Sequence, residues 1–193
     1  AAAPTDPTVP LAKERHFAGK LQQLTHGGEN AEAYYSNDET RLVFQSTRDG
    51  SACDQIYSFH LHEGGVHRIS SGKGRTTCAY FLPKDQRILY ASTHAAADDC
   101  LPPPDRSHGY VWKLYDEFDI YVVDAGGGQP TPLITGKGYD AEATVSPKGD
   151  KIVFTSTRDG DPEIYVANLD GSGVTRLTNT PGYDGGAFFS ADC

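Results

Sequence analysis

Short runs of apolar and β-branched residues recur along this chain and alternate with polar turns rich in Gly, Pro and Asp. In the clearest unit, the run IVFTST at residues 152–157 follows the turn PKGD at 147–150 and ends before Asp159 and Gly160. An Asp-Gly pair between two such runs is a hairpin signal, and Pro with Gly marks a turn. The unit therefore predicts four strands, at residues 144–146, 151–157, 163–168 and 174–177.

The same order of elements occurs three times, and a fourth copy begins near the end of the sequence. The copies open with AEAYYS at 31–36, TCAYFLP at 77–83, AEATVS at 141–146 and GGAFFS at 185–190. Several short strands in each unit of roughly 40–50 residues are typical of β-propeller blades. We therefore predict an all-β fold, a β-propeller of four-stranded antiparallel blades. The predicted blades cover about 31–70, 77–135 and 141–178, with the start of a further blade at 185–193.

The predicted ring is incomplete in this chain. Residues 1–18 are rich in Ala, Pro and Thr and predict a flexible lead, and the repeats cover 19–193. Residues 19–25 resemble 173–178 and predict an outermost strand without a blade of its own. Three blades with flanking strands are fewer than the four that propellers usually need, and uncovered flanks would expose strand edges and apolar surface. We expect the remainder of a longer chain, or other subunits, to complete the ring.

The composition indicates an exported protein. The net charge of −9 argues against nucleic acid and anionic lipid as partners. The sequence contains no apolar run long enough to cross a membrane. Its first residues, AAAPTDPTVP, lack an initiator Met and are typical of a mature end after removal of a signal peptide. We therefore expect a periplasmic or secreted protein.

The four cysteines match no zinc motif but are compatible with an oxidising compartment. Strands that alternate in direction put each hairpin between the second and third strands on the same rim as the start of the first strand. Cys53 and Cys100 lie in or beside such hairpins, and Cys78 lies at the start of a first strand. Cys193 falls on the opposite rim. We predict a disulfide drawn from Cys53, Cys78 and Cys100, with Cys53–Cys100 preferred; the alternative is four reduced, buried thiols.

The units SPKGDKIVFTS at 146–156 and IYVANLDG at 164–171, closing on RLT at 176–178, resemble the repeat of TolB-like β-propellers. That family includes the periplasmic propeller of the Tol–Pal system and exported proteins described as Tol biopolymer transporter components. The resemblance covers about 19–193 and is strongest in the third copy. The second copy departs from it through an insertion, and the first has Asn37-Asp38-Glu39 where the family usually has Pro-Asp-Gly. Nothing in the chain matches the additional N-terminal α/β domain of the Tol–Pal protein.

Similar repeats also form the propellers of prolyl-oligopeptidase-type serine peptidases and of oligogalacturonate lyases. The peptidase needs a Gly-x-Ser-x-Gly elbow, which this sequence lacks. No arrangement of nucleophile, base and acid can be proposed from residue spacing. The enzyme alternatives are therefore a peptidase whose hydrolase domain lies outside this sequence, or a metal-assisted polysaccharide lyase.

Acidic and amide side chains recur at the start of the innermost strands, which surround the mouth of the central channel in a propeller. Oxygen ligands gathered from several blades suit Ca²⁺, so Ca²⁺ is the candidate cofactor. The alternative is that each side chain caps its own turn. In the second copy the equivalent positions are Thr76 and Cys78, which interrupts the acidic ring. The candidate metal ligands are Glu32, Asp140, Glu142 and Asp184.

The second copy carries an insertion of about twenty residues, at 94–117, which contains the only Trp of the chain. Lengthened loops on a propeller rim are where binding sites are usually built, and aromatic enrichment suits an interface. The alternative is that the loop folds back over its own blade and buries Trp112. We predict a non-catalytic binding or scaffold protein of the cell envelope or exterior, whose partner is a protein or an envelope polymer. The candidate binding residues are Asp105, Arg106, Tyr110, Trp112 and Tyr115.

Overall fold

The computed structural model describes residues 8–9, 21–109 and 111–193, and its repeating unit is a four-stranded antiparallel sheet that occurs three times. Blade A consists of β3 (Asn30–Tyr35), β4 (Arg41–Ser46), β5 (Gln55–His60) and β6 (Val66–Arg68). Blade B consists of β7 (Thr76–Phe81), β8 (Arg87–Ser92), β9 (Asp119–Asp124) and β10 (Thr131–Ile134). Blade C consists of β11 (Asp140–Val145), β12 (Lys151–Ser156), β13 (Glu163–Asn168) and β14 (Thr175–Arg176).

Each blade is a meander in which neighbouring strands in sequence pair in space. The second and third strands keep an unbroken register, from Arg41 opposite His60 to Ser46 opposite Gln55 in blade A, with matching registers in the other two blades. Inner strands of adjacent blades contact each other, so blades A, B and C follow one another in an arc whose sheets do not close. The predicted all-β architecture of four-stranded antiparallel blades is confirmed.

Two apolar cores fill the spaces between the blades. Phe81 and Tyr90 are buried with Val43 and Ile56 where blade A packs on blade B. Leu89, Ile152 and Phe154 belong to the core where blade B packs on blade C. Burial of one such side chain contributes roughly 1.5–3 kcal/mol. Apolar side chains on the facing surfaces of adjacent blades therefore hold the arc together, as they do in a propeller.

The turn after the inner strand of blade B also connects blades A and B by hydrogen bonds. Asp85 ends a 3-10 turn over Pro83–Asp85 and has a positive φ of 56°. Its Oδ1 accepts the Asn37 amide at 2.7 Å, and its Oδ2 accepts the Asp38 amide at 3.0 Å. A Pro at position 37 has no N–H to donate. The departure of the first copy from the usual Pro-Asp-Gly turn is thus explained by this contact between blades.

The insertion of blade B lies between β8 and β9 and packs in a small core that it shares with residues of blades B and C. Tyr115 and Phe118 are buried in it, and the Phe118 ring meets Tyr139 edge-on at 5.9 Å. The Tyr115 hydroxyl donates to the carbonyl of Pro102 at 2.8 Å. A disulfide joins Cys100 of the insertion to Cys53 of the blade A hairpin, which is the preferred pair of the three cysteines that strand direction allowed. The insertion is therefore attached to two blades.

Two predicted elements at the ends of the chain differ from the structure. Within the predicted outermost strand at 19–25, the described residues form β2 (Leu21–Gln22), which pairs with β1 (Thr8–Val9) and with no blade strand that the structure describes. The rest of the predicted lead lies outside the described residues. Residues 185–193, predicted to open a further blade, form no strand. Their backbone bonds instead to side chains of blade C, as the Gly186 amide does to Glu142.

Across the part of the chain that the structure describes, no helix has the length and apolar character needed to cross a membrane.

Candidate functional site

Each inner strand contains a β-bulge at the same place in the repeat. In blade A, Ala31 pairs with Gln45 and Tyr34 with Val43, so one extra residue is accommodated on β3. The register shifts in the same way between Thr77 and Tyr80 and between Ala141 and Thr144. A bulge turns a side chain away from its regular direction and often lies beside a functional site.

The bulged residue has a left-handed backbone in every copy. The φ angles are 50° at Glu32, 53° at Cys78 and 57° at Glu142, and Gly186 has a φ of 63° at the equivalent place in the fourth opening. Side chains other than Gly rarely adopt this conformation, and it concentrates at functional sites. The repeat thereby points Glu32, Cys78 and Glu142 from three blades toward the axis of the arc.

These residues line a cavity of about 500 Å³ at the inner strands of the arc, where the sequence predicts the channel mouth of a complete ring. Trp112 and Leu114 of the insertion line it from above. Tyr34 of blade A and Tyr183 and Phe188, which follow blade C, complete its aromatic wall. The cavity therefore combines two regions predicted as separate candidate sites, the acidic channel mouth and the insertion.

Glu142 is the most heavily hydrogen-bonded side chain of the cavity. Its carboxylate accepts the hydroxyls of Thr155 at 2.6 Å, Tyr183 at 2.6 and 2.7 Å and Tyr139 at 3.3 Å. It also accepts the Gly186 amide at 2.9 Å. Burial and the hydrogen bond to this carboxylate raise the pKa of Tyr183. Glu142 therefore connects blade C to the segment that follows it, without a basic partner among the described residues.

Cys78 lines the cavity together with Glu32 and Glu142 and is 8% exposed. Burial raises the pKa of its thiol well above the usual value, and the charges of Glu32 and Glu142 add to that rise. Its amide donates to Oε1 of Gln45 at 3.1 Å, which also accepts the Thr77 hydroxyl at 2.8 Å. The thiol is therefore kept protonated, and its backbone is fixed to blade A.

The other two predicted metal ligands point elsewhere. Asp140 is fully buried, and its Oδ1 accepts Nη2 of Arg158 at 2.9 Å. Asn30 accepts Arg48 at 2.6 Å in the same way in blade A. The amide of Asp184 donates to the carbonyl of Pro162 at 2.9 Å, and neither Asp140 nor Asp184 lines the cavity. The side-chain contacts of Asp140 and Asn30 therefore lie within their own blades.

Of the four predicted metal ligands, the structure brings only Glu32 and Glu142 to the cavity. No group of three or more His, Cys, Asp and Glu side chains able to hold a metal ion occurs among the described residues. The Ca²⁺ site stays a prediction.

The predicted binding residues of the insertion have different environments. Trp112 lines the cavity and is 54% exposed, whereas Tyr115 is buried beneath the insertion. Asp105 is exposed and caps its own turn through the Ser107 amide at 2.8 Å. Arg106 lines a smaller neighbouring cleft that also contains Trp112. Tyr110 lies outside the described residues.

Sequence reasoning missed eight of the eleven residues that line the cavity, among them Tyr34, Cys78, Tyr183 and Phe188. The sequence did contain a pattern that marks the bulged residues, because an Ala directly follows each of them, at 33, 79, 143 and 187. The aromatic wall had no such signal, since it depends on how blade A and the residues after blade C meet. That meeting is visible in the Tyr34 and Phe188 rings, whose centroids are 5.8 Å apart.

Comparisons with known proteins agree with this fold. Residues 104–193 match the family model described as TolB beta propeller domain. The Tol-Pal system protein TolB of Bordetella pertussis is 49% identical over 53 residues, which are 27% of this chain and 12% of that protein. The resemblance of the repeats to TolB-like propellers is confirmed.

Two solved structures are similar over most of the chain. A structure assigned to TolB from Agrobacterium tumefaciens has a TM-score of 0.65 and 20% identity, covering 92% of this chain and 57% of that one. TolB from Acinetobacter baumannii has a TM-score of 0.58 and 20% identity, covering 84% of this chain and 34% of that one. At this identity the similarity extends to the fold alone. The chain spans only part of each of these relatives.

Proposed function

We propose that this chain, which is built from the repeats of the TolB-like β-propeller family, is a binding module of the cell envelope or exterior. It engages a protein or polymer partner at the rim that carries the insertion. The observation that supports this is the cavity of about 500 Å³ at the channel mouth. Trp112, Tyr183 and Phe188 on its wall are 54%, 55% and 57% exposed. Exposed aromatic side chains around a concavity are typical of recognition surfaces.

The chemistry of the cavity favours binding over catalysis. Cys78 is the thiol among its lining residues, and burial keeps the pKa of that thiol high, whereas a nucleophilic cysteine needs a lowered pKa. No histidine lines the cavity to act as a base beside it. Neither the peptidase nor the lyase alternative is supported by a residue of this site.

An oxidising compartment is supported by the Cys53–Cys100 disulfide, because such bonds persist in the periplasm and outside the cell. The similarity to proteins named for the Tol-Pal system supports the same location. Periplasmic or secreted localisation is therefore part of the proposal, and a fusion to a reporter that is active only after export would test it.

Trp112 is the only Trp of the chain, so its emission reports on the proposed site alone. Binders would be selected from a random peptide library and, in a second arm, from soluble envelope oligosaccharides. We expect at least one class to change Trp112 emission with a saturable curve, and Trp112→Ala to weaken its binding about tenfold or more in calorimetry.

Tyr35→Ala is the matched control, because Tyr35 is 60% exposed and does not line the cavity. Binding that survives Trp112→Ala unchanged, or the absence of any binder in both arms, would contradict the proposed function.

A further inference from the structure

The cavity at the channel mouth contains two carboxylates and no basic side chain. Glu32 and Glu142 line it together with Tyr34, Trp112, Tyr183 and Phe188, and no Lys, Arg or His is among its lining residues. Both carboxylates act on the same Cys78 thiol, so they belong to one electrostatic environment. Two like charges in one site repel each other, and a cation between them would relieve that repulsion.

The aromatic wall of the cavity suits an organic cation. The Tyr34 ring lies between Tyr80 and Phe188, with centroid separations of 5.3 and 5.8 Å. Trp112 lies over the same space and presents a large exposed ring. Aromatic faces attract cations placed within about 6 Å of the ring centroid, and Trp does so most strongly. Leu114 and Ala143 add apolar surface that can pack against an alkyl chain.

A bare divalent cation fits this wall less well. Ca²⁺ takes six to eight oxygen ligands, whereas the cavity offers two carboxylates of which Glu142 already accepts several donors. A guanidinium fork needs two well-placed lone pairs on one carboxylate, while an ammonium acts as a compact point charge on a flexible stem. Because Glu142 already accepts four donors, it has no free pair of acceptor sites for a guanidinium fork. The negative charge of Glu142 and the half-buried Glu32 therefore favours a compact ammonium group.

We propose that the cavity takes the lysine side chain of a polypeptide partner, with the ammonium between Glu32 and Glu142 and the stem against the aromatic wall. This inference rests on the proposed binding function and names the chemistry that the site recognises.

The test compares two blocked tripeptides, Ala-Lys-Ala and the same peptide with an Nε-acetylated lysine, which has a similar shape but no charge. Each is titrated into the full chain and followed by Trp112 emission and by calorimetry. We expect saturable binding of the lysine peptide and about tenfold weaker binding of the acetylated one, because hydrogen bonds to charged groups are the stronger kind. Added salt should weaken only the first.

Glu32→Gln is the informative variant, because Glu142 also holds blade C to the following segment and its loss could disturb the fold. We expect Glu32→Gln to weaken binding of the lysine peptide about tenfold without lowering the melting temperature, because the substitution removes one of two like charges. Binding of the acetylated peptide should change much less. Glu63→Gln removes the same charge from an exposed turn of blade A and should change neither.

Equal binding of the two peptides would overturn this inference and leave the binding function standing. A second result would overturn the inference as well. If neither peptide binds, and millimolar Ca²⁺ raises the melting temperature of the parent protein but not of Glu32→Gln, the two carboxylates bind a metal ion. If the library binders do not change Trp112 emission and bind Trp112→Ala as well as the parent protein, the proposed function is contradicted, and this inference with it.

Discussion

Blades B and C are copies of one unit, yet they hold the start of their inner strand by different contacts. In blade C, Arg158 lies over the rings of Phe154 and Tyr165 at 5.4 and 5.2 Å and donates to Asp140 at 2.9 Å. In blade B the equivalent residue is His94, whose ring contacts Tyr121 at 4.3 Å and whose Nδ1 bonds to Oγ of Ser92 at 2.8 Å.

Blade A supplies the contacts that blade B lacks. The amide and the hydroxyl of Thr76, which stands where blade C has Asp140, both donate to the carbonyl of Asp54 at 3.0 Å. The adjacent Cys53 forms the disulfide to Cys100. Blade B lacks the Arg–Asp pair of blade C, and contacts with blade A stabilise it instead. The disulfide among these contacts also attaches the insertion, whose Trp112 lines the cavity.

The largest effect should follow removal of the disulfide between blades A and B. Its cysteines are 47 positions apart in sequence. In the chain-entropy description, a cross-link of this span reduces the entropy of the unfolded chain and so stabilises the folded state by about 4 kcal/mol. We expect Cys53→Ala with Cys100→Ala to lower the free energy of unfolding by roughly that amount in denaturant titrations and to weaken binding at Trp112.

Cys193→Ser is the control, because Cys193 is a free, exposed cysteine and should leave stability unchanged. A loss below about 1 kcal/mol in the double variant would show that packing of Tyr115 and Phe118 alone holds the insertion, against the comparison drawn here.

The Arg–Asp pair of blade C should matter more than the Arg–Asn pair of blade A. Arg158→Ala leaves the fully buried Asp140 without its cation, which costs about 3 kcal/mol or more. Arg48→Ala removes a hydrogen bond to a neutral, exposed Asn30, with an expected loss of about 1 kcal/mol. Chemical denaturation of the two variants measures the difference. Equal losses would mean that stacking on the aromatic rings, common to both Arg residues, carries the energy.

His94 should make blade B sensitive to acid in a way that blade C is not. Burial lowers the pKa of His94 below its usual 6.5, and the charges of Asp119 and Asp98 oppose that shift only in part. The unfolded chain therefore binds the proton more readily, so the stability that neutral His94 contributes is fully present above pH 6.5 and is lost as the pH falls below it. Denaturation midpoints between pH 5 and 8 should show this slope, and His94→Gln should remove it.

The smallest effect concerns the bulged residue of blade B, which is Cys78 where the other blades have Glu. Burial and a raised pKa should make its thiol unreactive toward a disulfide reagent in the native protein, while Cys193 reacts at once. We expect one reactive thiol in native protein and two after denaturation under non-reducing conditions. Two fast-reacting thiols in the native state would show that the cavity opens at Cys78.

The two carboxylates of the cavity and its Trp illustrate what a sequence can indicate about a site. The repeat register places Glu32 and Glu142 at the channel mouth, because equivalent residues of successive blades face the same axis. The same register also selected Asp140, which is wrong as a cavity residue, since Arg158 is its nearer and opposite charge. The repeat predicts which residues of different blades occupy equivalent positions, but it does not predict which side chains each of them contacts.

Local periodicity and turn chemistry determined the strands and the blades, and strand direction narrowed the disulfide to two of Cys53, Cys78 and Cys100. Strand periodicity and turn residues are local in sequence, and they recur in each copy of the repeat. Only the tertiary structure decided that Tyr115 is buried and Trp112 exposed, and that Phe188 reaches Tyr34. The physical reason is that the insertion and the segment after blade C each occur once. Their positions follow from packing between parts of the chain far apart in sequence, where no repeated pattern specifies the contact.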